Sequence, residues 1–208
     1  MARMILRALA LWAALSASAW AGDMRILVMN SDGRPVRDAV VTVHTRAAPP
    51  GPIRFPWAMQ IGQRNMQFDP FVLIAPAGAS VAFPNYDDVR HQVYSFSEPG
   101  PFELRLFGRD ETRSVQFRNV GVIAIGCNIH DNMSAFIYVV DTPYAVKTGA
   151  DGFAVLRNVP AGEATLRVWH PYMRAQHNRV DSTVTITAQF ERRIDIRLRP
   201  PPDRSGGY

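Results

Sequence analysis

The chain is poor in cysteine, since Cys127 is the only one in 208 residues. No internal disulfide can form, so the stability of the fold must come from an apolar core. Long apolar runs are also missing, because no segment after the N-terminal one approaches the ~20 apolar residues that a membrane-spanning helix needs. Basic runs with interleaved aromatic residues are missing too, which argues against nucleic-acid binding despite a formal net charge of +5.

The N-terminus has the pattern of an export signal. Arg3 and Arg7 flank the start of a short apolar stretch, Ala8–Leu15, and Ala19-Trp20-Ala21 has the small-x-small pattern of a cleavage site. We therefore predict a signal peptide over residues 1–21, a periplasmic location, and no integral membrane segment after cleavage. An unpaired thiol in an oxidising compartment needs protection, and ligation to a metal would give it.

The cysteine stands in a short run of soft and borderline metal ligands. His130 follows Cys127 by three residues and Met133 follows it by six, while His91 lies upstream at the start of a predicted strand. Two histidines, a thiolate and a weak axial thioether are the ligands of a mononuclear electron-transfer copper site. We expect the two imidazole Nδ1 atoms and the sulfur of Cys127 to form a trigonal plane around one copper ion, with Met133 axial.

A zinc site, a free thiol and a hydrolase each fit the motif less well than copper. Zinc rarely takes a thioether, and its structural sites use several paired cysteines. A buried free cysteine would leave the spacing of His130 and Met133 unexplained. A Cys–His hydrolase needs a base from elsewhere in the fold and an oxyanion hole, for which the sequence gives no sign. We therefore expect a protein that is not an enzyme.

Short alternating apolar runs recur along the chain with turn residues between them, which predicts an all-β protein of sandwich or barrel type. No segment has the periodicity of an amphipathic helix. The predicted strands are Arg25–Met29, Ala39–His44, Ala58–Gln63, Phe71–Ala75, Ser80–Phe83, Gln92–Phe96, Phe102–Phe107, Arg113–Arg118, Val120–Ile125, Ser134–Val140, Phe153–Leu156, Ala164–Val168, Thr183–Ala188 and Arg192–Arg199.

The middle of the chain resembles the cupredoxin family, and its Cys-x-x-His-x-x-Met loop resembles that of amicyanin. Met66–Gly78 and Ser80–Asp87 are similar to the strands that lead to the first ligand histidine. The resemblance implies that His91, Cys127, His130 and Met133 bind copper. Gln92 stands where cupredoxins often have an asparagine that joins the two ligand loops. We expect the main-chain N–H of Asn85, or of a neighbouring loop residue, to donate to the sulfur.

The flanking segments are similar to carboxypeptidase-regulatory-like (transthyretin-like) sandwiches, on the basis of residues 32–43 and 151–168. The combination looks like plastocyanin-like proteins labelled as methylamine utilisation proteins. It implies a cupredoxin-like Greek-key sandwich inserted in, or packed beside, a transthyretin-like one. The implied order is signal peptide at 1–21, first transthyretin-like strands at 22–52, copper domain at 57–142, remaining strands at 143–199 and a flexible tail at 200–208.

We expect a soluble exported electron carrier that exchanges single electrons with periplasmic redox proteins. Ile129 and Phe71 would surround the exposed edge of His130, and Asp87 and Asp88 would form a local salt bridge or a turn cap. A protein that delivers or buffers copper uses the same ligands and remains an alternative. An exported interaction or carbohydrate-binding module, with a vestigial metal loop, is a second alternative. His44, His170 and His177 are expected to be structural or surface residues.

Overall fold

The computed structural model describes residues 21–46 and 51–201. The predicted signal peptide up to Trp20, residues 47–50 of the Pro/Gly-rich connection and most of the predicted tail lie outside these ranges. The strands, numbered in chain order, are β1 (Ala21–Asn30), β2 (Val40–Thr45), β3 (Gly62–Arg64), β4 (Gln67–Asp69), β5 (Val72–Pro76), β6 (Ser80–Pro84), β7 (His91–Ser95), β8 (Phe102–Phe107), β9 (Thr112–Gln116), β10 (Gly121–Cys127), β11 (His130–Val140), β12 (Ala145–Lys147), β13 (Phe153–Pro160), β14 (Gly162–Trp169), β15 (Arg179–Ile186) and β16 (Gln189–Ile196).

The prediction of an all-β fold is confirmed. One turn of 3₁₀ helix, Gln176–Asn178, is the only helical element in the described ranges, and no helix there has the length and apolar character needed to cross a bilayer. The predicted strand Ala58–Gln63 is right only for its last two residues, Gly62 and Gln63, which lie in β3; the stretch before them forms an isolated bridge, Gln60 to Ala82. A short β3–β4 hairpin begins at its end instead, and the three-residue β12 was not predicted.

Strands β1 and β2 share sheets with strands β12 to β16, and we call these seven strands the flanking unit. One sheet has the order β13-β1-β16 and the other β12-β2-β14-β15. Alternation along β1 buries Met24, Ile26 and Val28 completely. These side chains meet Val41 and Leu166 from the second sheet in one apolar core, so the two sheets face each other as layers.

The strands from β3 to β11 lie between the two halves of the flanking unit along the chain, and we call them the inserted unit. Its main sheet has the order β5-β11-β10-β7-β8, accompanied by the pairs β6-β9 and β3-β4. Its core includes Phe83, Phe107 and Phe117 as well as Cys127 and Met133. Cys127 and Met133, two of the candidate metal ligands, are therefore part of the packed interior at one end of the main sheet.

A third apolar cluster joins the two units. Trp169 of the flanking unit is buried against Phe136 and Tyr138 of β11, with ring centroids 5.8 and 5.2 Å apart. Lys147 adds a polar contact by donating from Nζ to the carbonyl oxygen of Val72, at 2.6 Å. This junction is nearer the end of β11 opposite to His130.

Candidate metal centre

The β10–β11 hairpin contains an irregularity that shapes the ligand loop. Gly126 pairs with Ser134, but the next residue, Cys127, pairs with His130. Regular pairing would place Met133 opposite Cys127, so the segment 131–133 forms a bulge on β11. The bulge places the side chain of Met133 in the interior, and the residue is 1% exposed.

His91 comes from the neighbouring strand. It is the first residue of β7, and alternation along β7 turns His91, Val93 and Ser95 inward. Because Tyr94 pairs with Gly126 of β10, the beginning of β7 lies beside the end of β10. His91 is completely buried and reaches Cys127 from the adjacent strand.

Three predicted ligands converge on one point. Nδ1 of His91 lies 3.2 Å from Nδ1 of His130, and the sulfur of Cys127 lies 3.9 and 3.5 Å from these two atoms. The point equidistant from these three atoms lies about 2.1 Å from each of them. This distance is close to the bond lengths of ~2.0–2.3 Å between a first-row metal ion and imidazole or thiolate. Within the described ranges this is the one group of three or more His, Cys, Asp or Glu side chains so placed.

This donor set fits copper. Two imidazoles and one thiolate in a trigonal arrangement are the equatorial set of mononuclear electron-transfer copper sites. Met133 supplies a thioether in the same buried cluster as Cys127. Its role as the fourth ligand stays a prediction.

The surroundings of Cys127 favour the thiolate. Burial alone would raise the pKa of the thiol, but the side chains of His91 and His130 and the main-chain N–H groups of Gln92 and Ile129 lower it to about 6. A thiolate is the form that ligates a metal. The two main-chain donors therefore support the anion before any metal is present.

Asn85, the predicted main-chain donor to the sulfur of Cys127, has other hydrogen-bond partners. Its N–H donates to the carbonyl oxygen of Glu111 at 3.0 Å, so the expectation that it reaches the sulfur is wrong. Its buried side chain donates to the carbonyl oxygens of Val89 and Phe107, at 2.9 and 3.2 Å. Asn85 therefore holds the loop before His91, while the main chain of Gln92 makes the link to Cys127.

The second ring nitrogen of His91, Nε2, also has a hydrogen-bond partner. Its Nε2–H donates to Oδ2 of Asp87 at 2.8 Å, which leaves Nδ1 to face Cys127 and His130. Burial would lower the pKa of His91, but hydrogen bonds and charges from Cys127 and Asp87 raise it. The local salt bridge expected of Asp87 is formed with His91, a partner that the sequence alone did not indicate.

Asp88 and Arg90 are the other charged residues of this loop. Asp88 forms an ion pair with Arg109, and Arg90 donates to the carbonyl oxygen of Leu106 at 3.4 Å. Asp87 accepts Nε2–H of His91, and its own N–H donates to the side-chain oxygen of Asn85 at 2.9 Å. Asp87 and Asp88 therefore have separate partners.

The surface next to the centre includes Ile129, which is 47% exposed, and the partly exposed ring of His130. The expected place of Phe71 beside His130 stays a prediction. Phe71 meets Phe136 edge-on and stacks on Tyr172, with ring centroids 5.5 and 6.0 Å apart. It belongs to the junction between the two units.

The other histidines lie away from this centre. His170 is buried and its Nδ1 accepts the N–H of Tyr172 at 3.2 Å. His44 lies 3.3 Å from the hydroxyl of Thr42, and His177 lies in the 3₁₀ turn. None of them joins the metal-binding group.

No protein-family model and no curated protein matches the chain. Parts of solved structures do resemble it. A copper-containing nitrite reductase (NirK) from Thermus scotoductus SA-01 is 26% identical over 45% of this chain, with a TM-score of 0.38, and this chain covers 25% of the reductase. A purple cupredoxin from Nitrosopumilus maritimus is 22% identical over 39% of this chain and 98% of its own, with a TM-score of 0.36. A reduced amicyanin mutant is 16% identical over 48% of this chain and 98% of its own, with a TM-score of 0.38.

Proposed function

We propose that this chain is a mononuclear, type 1-like copper protein that carries single electrons. His91, Cys127, His130 and Met133 hold the ion. The observation that carries the proposal is the common point about 2.1 Å from both Nδ1 atoms and the sulfur. Copper supplies Cu(I)/Cu(II) interconversion in such a donor set.

The residues of the site are suited to hold an ion whose charge changes. His91, Cys127 and Met133 are 0%, 4% and 1% exposed and packed in the core of the inserted unit. Fixed side chains limit the rearrangement that accompanies a change of charge. Hydrogen bonds to the ligating sulfur and imidazole tune the potential of such a centre.

Burial of three ligands favours electron transfer over catalysis. A substrate has little access to a position enclosed by His91, Cys127 and Met133, so we propose a carrier and not an enzyme. The partly exposed ring of His130 gives the shorter path to the surface, and Ile129 beside it provides apolar contact. Weak redox encounters use small interfaces, so the partner is proposed to be a redox protein that docks here.

The proposed compartment is the periplasm. It rests on the export signal predicted over residues 1–21 and on the single thiol, which ligation would shield from oxidation. We also assign the inserted unit to the cupredoxin-like sandwiches and the flanking unit to the transthyretin-like ones. The assignment of the flanking unit is supported by its two facing sheets of three and four strands.

Repeated redox cycling separates a carrier from a copper-delivery protein. Protein with one equivalent of Cu(II) is reduced and reoxidised by a one-electron mediator in the presence of a Cu(I) chelator. A carrier keeps its copper and its spectrum through the cycles. Transfer of copper to the chelator at the first reduction would contradict the carrier function and favour delivery.

A further inference from the structure

The β3–β4 hairpin closes with a turn that lacks its usual residues. Asn65 and Met66 both have positive φ values, 54° and 53°, and they stand between the paired residues Arg64 and Gln67. Two such residues make a type I′ turn, which favours Asn-Gly. Left-handed backbone costs a residue like Met66 about 1–2 kcal/mol, so the surrounding structure must stabilise this turn.

The turn presents two main-chain donors to one carboxylate. The N–H of Asn65 lies 2.6 Å from Oδ1 of Asp87, and the N–H of Met66 lies 3.0 Å from Oδ2. Successive N–H groups in such turns form concave anion-binding sites. The side chain of Asp87 is only 12% exposed, and among the described residues its ion-pair partner is His91 and no arginine or lysine.

Asp87 is thereby held from both sides. The same Oδ2 that accepts the N–H of Met66 also accepts Nε2–H of His91 at 2.8 Å. Three N–H donors, those of Asn65, Met66 and His91, therefore face the carboxylate oxygens of Asp87, an arrangement that suits the ionised form. A chain of contacts therefore runs from the turn at 65–66 through Asp87 to the imidazole of His91.

We propose that the Asn65–Met66 turn and Asp87 form a positioning unit of the metal centre. The turn fixes the carboxylate, and the carboxylate fixes the tautomer and the orientation of His91 and places a negative charge behind it. This inference rests on the proposed copper function. Carboxylates behind ligating histidines orient the ring and raise its basicity.

The negative charge of Asp87 should also affect the reduction potential of the centre. A negative charge behind His91 stabilises the more highly charged metal ion more strongly than the less charged one. Loss of this charge is therefore expected to weaken binding of Cu(II) more than binding of Cu(I). The reduction potential rises as a result, and each tenfold difference between the two losses corresponds to about 59 mV for a one-electron couple.

The first test compares Asp87→Asn with Asp88→Asn. Both variants remove one carboxylate charge from the same loop, but the side chain of Asp88 is 83% exposed and pairs with Arg109. Affinity for Co(II), which is not redox active here, and the potential of the copper form are measured for both. We expect Asp87→Asn to lose about 10–100-fold in affinity and to show a raised potential, while Asp88→Asn stays close to the unmodified protein.

The second test needs no metal. The ring nitrogens of His91 are observed by long-range ¹H–¹⁵N NMR of the apo protein at about pH 9, where an imidazole is normally neutral. We expect the Nε2–H tautomer to dominate, and to lose its dominance in Asp87→Ala, which removes the acceptor. Insertion of two glycines between Asn65 and Met66 should move the tautomer balance and the Co(II) affinity in the same direction, whereas the same insertion between Asp32 and Gly33 should not.

The outcomes separate this inference from the function on which it rests. If the unmodified protein forms no thiolate-to-metal charge-transfer band, the proposed copper function fails. If the band forms but Asp87→Asn behaves like Asp88→Asn in affinity and potential, the positioning unit is refuted and the copper function stands. An unchanged tautomer in Asp87→Ala, or in the Asn65–Met66 insertion, would also refute it.

Discussion

At the scale of single residues, hydrogen bonding decides what each histidine can do. His91 donates from Nε2 to Asp87 and directs Nδ1 into the metal-binding group. His170 instead uses Nδ1 to accept the N–H of Tyr172, and a hydrogen bond to the main chain of Arg37 engages its ring as well. A buried histidine with these partners has a structural role, as the sequence predicted.

His170 should make stability depend on pH. Burial lowers its pKa to about 4, against a smaller opposing effect of Asp38 and the Arg37 main chain. The unfolded chain therefore takes up a proton near pH 6.5 while the folded chain does not. The free energy of unfolding should be highest above about pH 6.5 and fall by roughly 3 kcal/mol as the pH drops to about 4.

Urea unfolding of the apo protein across this pH range measures the effect. His170→Asn keeps an acceptor for the N–H of Tyr172 and removes the titrating ring, so its stability should depend less steeply on pH. His177→Asn is the matched control, since His177 is exposed and asparagine tolerates its positive φ. An equal pH slope in His170→Asn and the unmodified protein would contradict the role of burial.

At the scale of elements, sequence pattern predicted regular strands well and irregular ones poorly. Strand β8 has the predicted bounds, Phe102–Phe107. The β3–β4 hairpin was missed because three-residue strands show too little alternation and its turn is Asn-Met, not Asn-Gly. The convergence of Cys127 with His130 could be predicted because the motif is local, whereas the donors to Asp87 are main-chain groups more than twenty residues away.

The bulge on β11 places Met133 in the core, and its proposed role as a ligand can be tested separately from this packing. Met133→Leu keeps the volume and should change the stability of the apo protein by less than about 1.5 kcal/mol. Without the thioether, it should nevertheless alter the visible spectrum and the potential of the copper form. Met133→Ala should lose about 2–5 kcal/mol of apo stability, because a cavity forms.

Urea unfolding of the apo variants and visible spectra of their copper forms measure the two roles separately. A copper form of Met133→Leu with an unchanged spectrum and potential would show that the thioether is not a ligand. Equal apo stability in Met133→Ala and the unmodified protein would contradict its place in the core.

At the scale of the whole molecule, the junction couples the two units. Trp169 is 2% exposed and meets rings of β11 from the inserted unit. We expect the apo protein to unfold in one cooperative transition. Trp169→Ala should cost about 3–5 kcal/mol and separate the transition into two, observed by circular dichroism and by tryptophan fluorescence.

Phe96→Ala is the matched control for that variant, because Phe96 is 87% exposed and its truncation removes an aromatic ring without opening the core. It should leave the single transition in place. Two transitions in the unmodified protein would mean that the units unfold independently despite their shared apolar cluster.

The central claim is the copper–thiolate centre, and the most direct measurement is a visible absorption spectrum. The unmodified protein with one equivalent of Cu(II) is compared with Cys127→Ser, which keeps the size of the side chain and removes the thiolate. We predict an intense thiolate-to-copper charge-transfer band in the unmodified protein and none in the variant. Copper bound without such a band, or a band that survives in Cys127→Ser, would contradict the copper–thiolate centre.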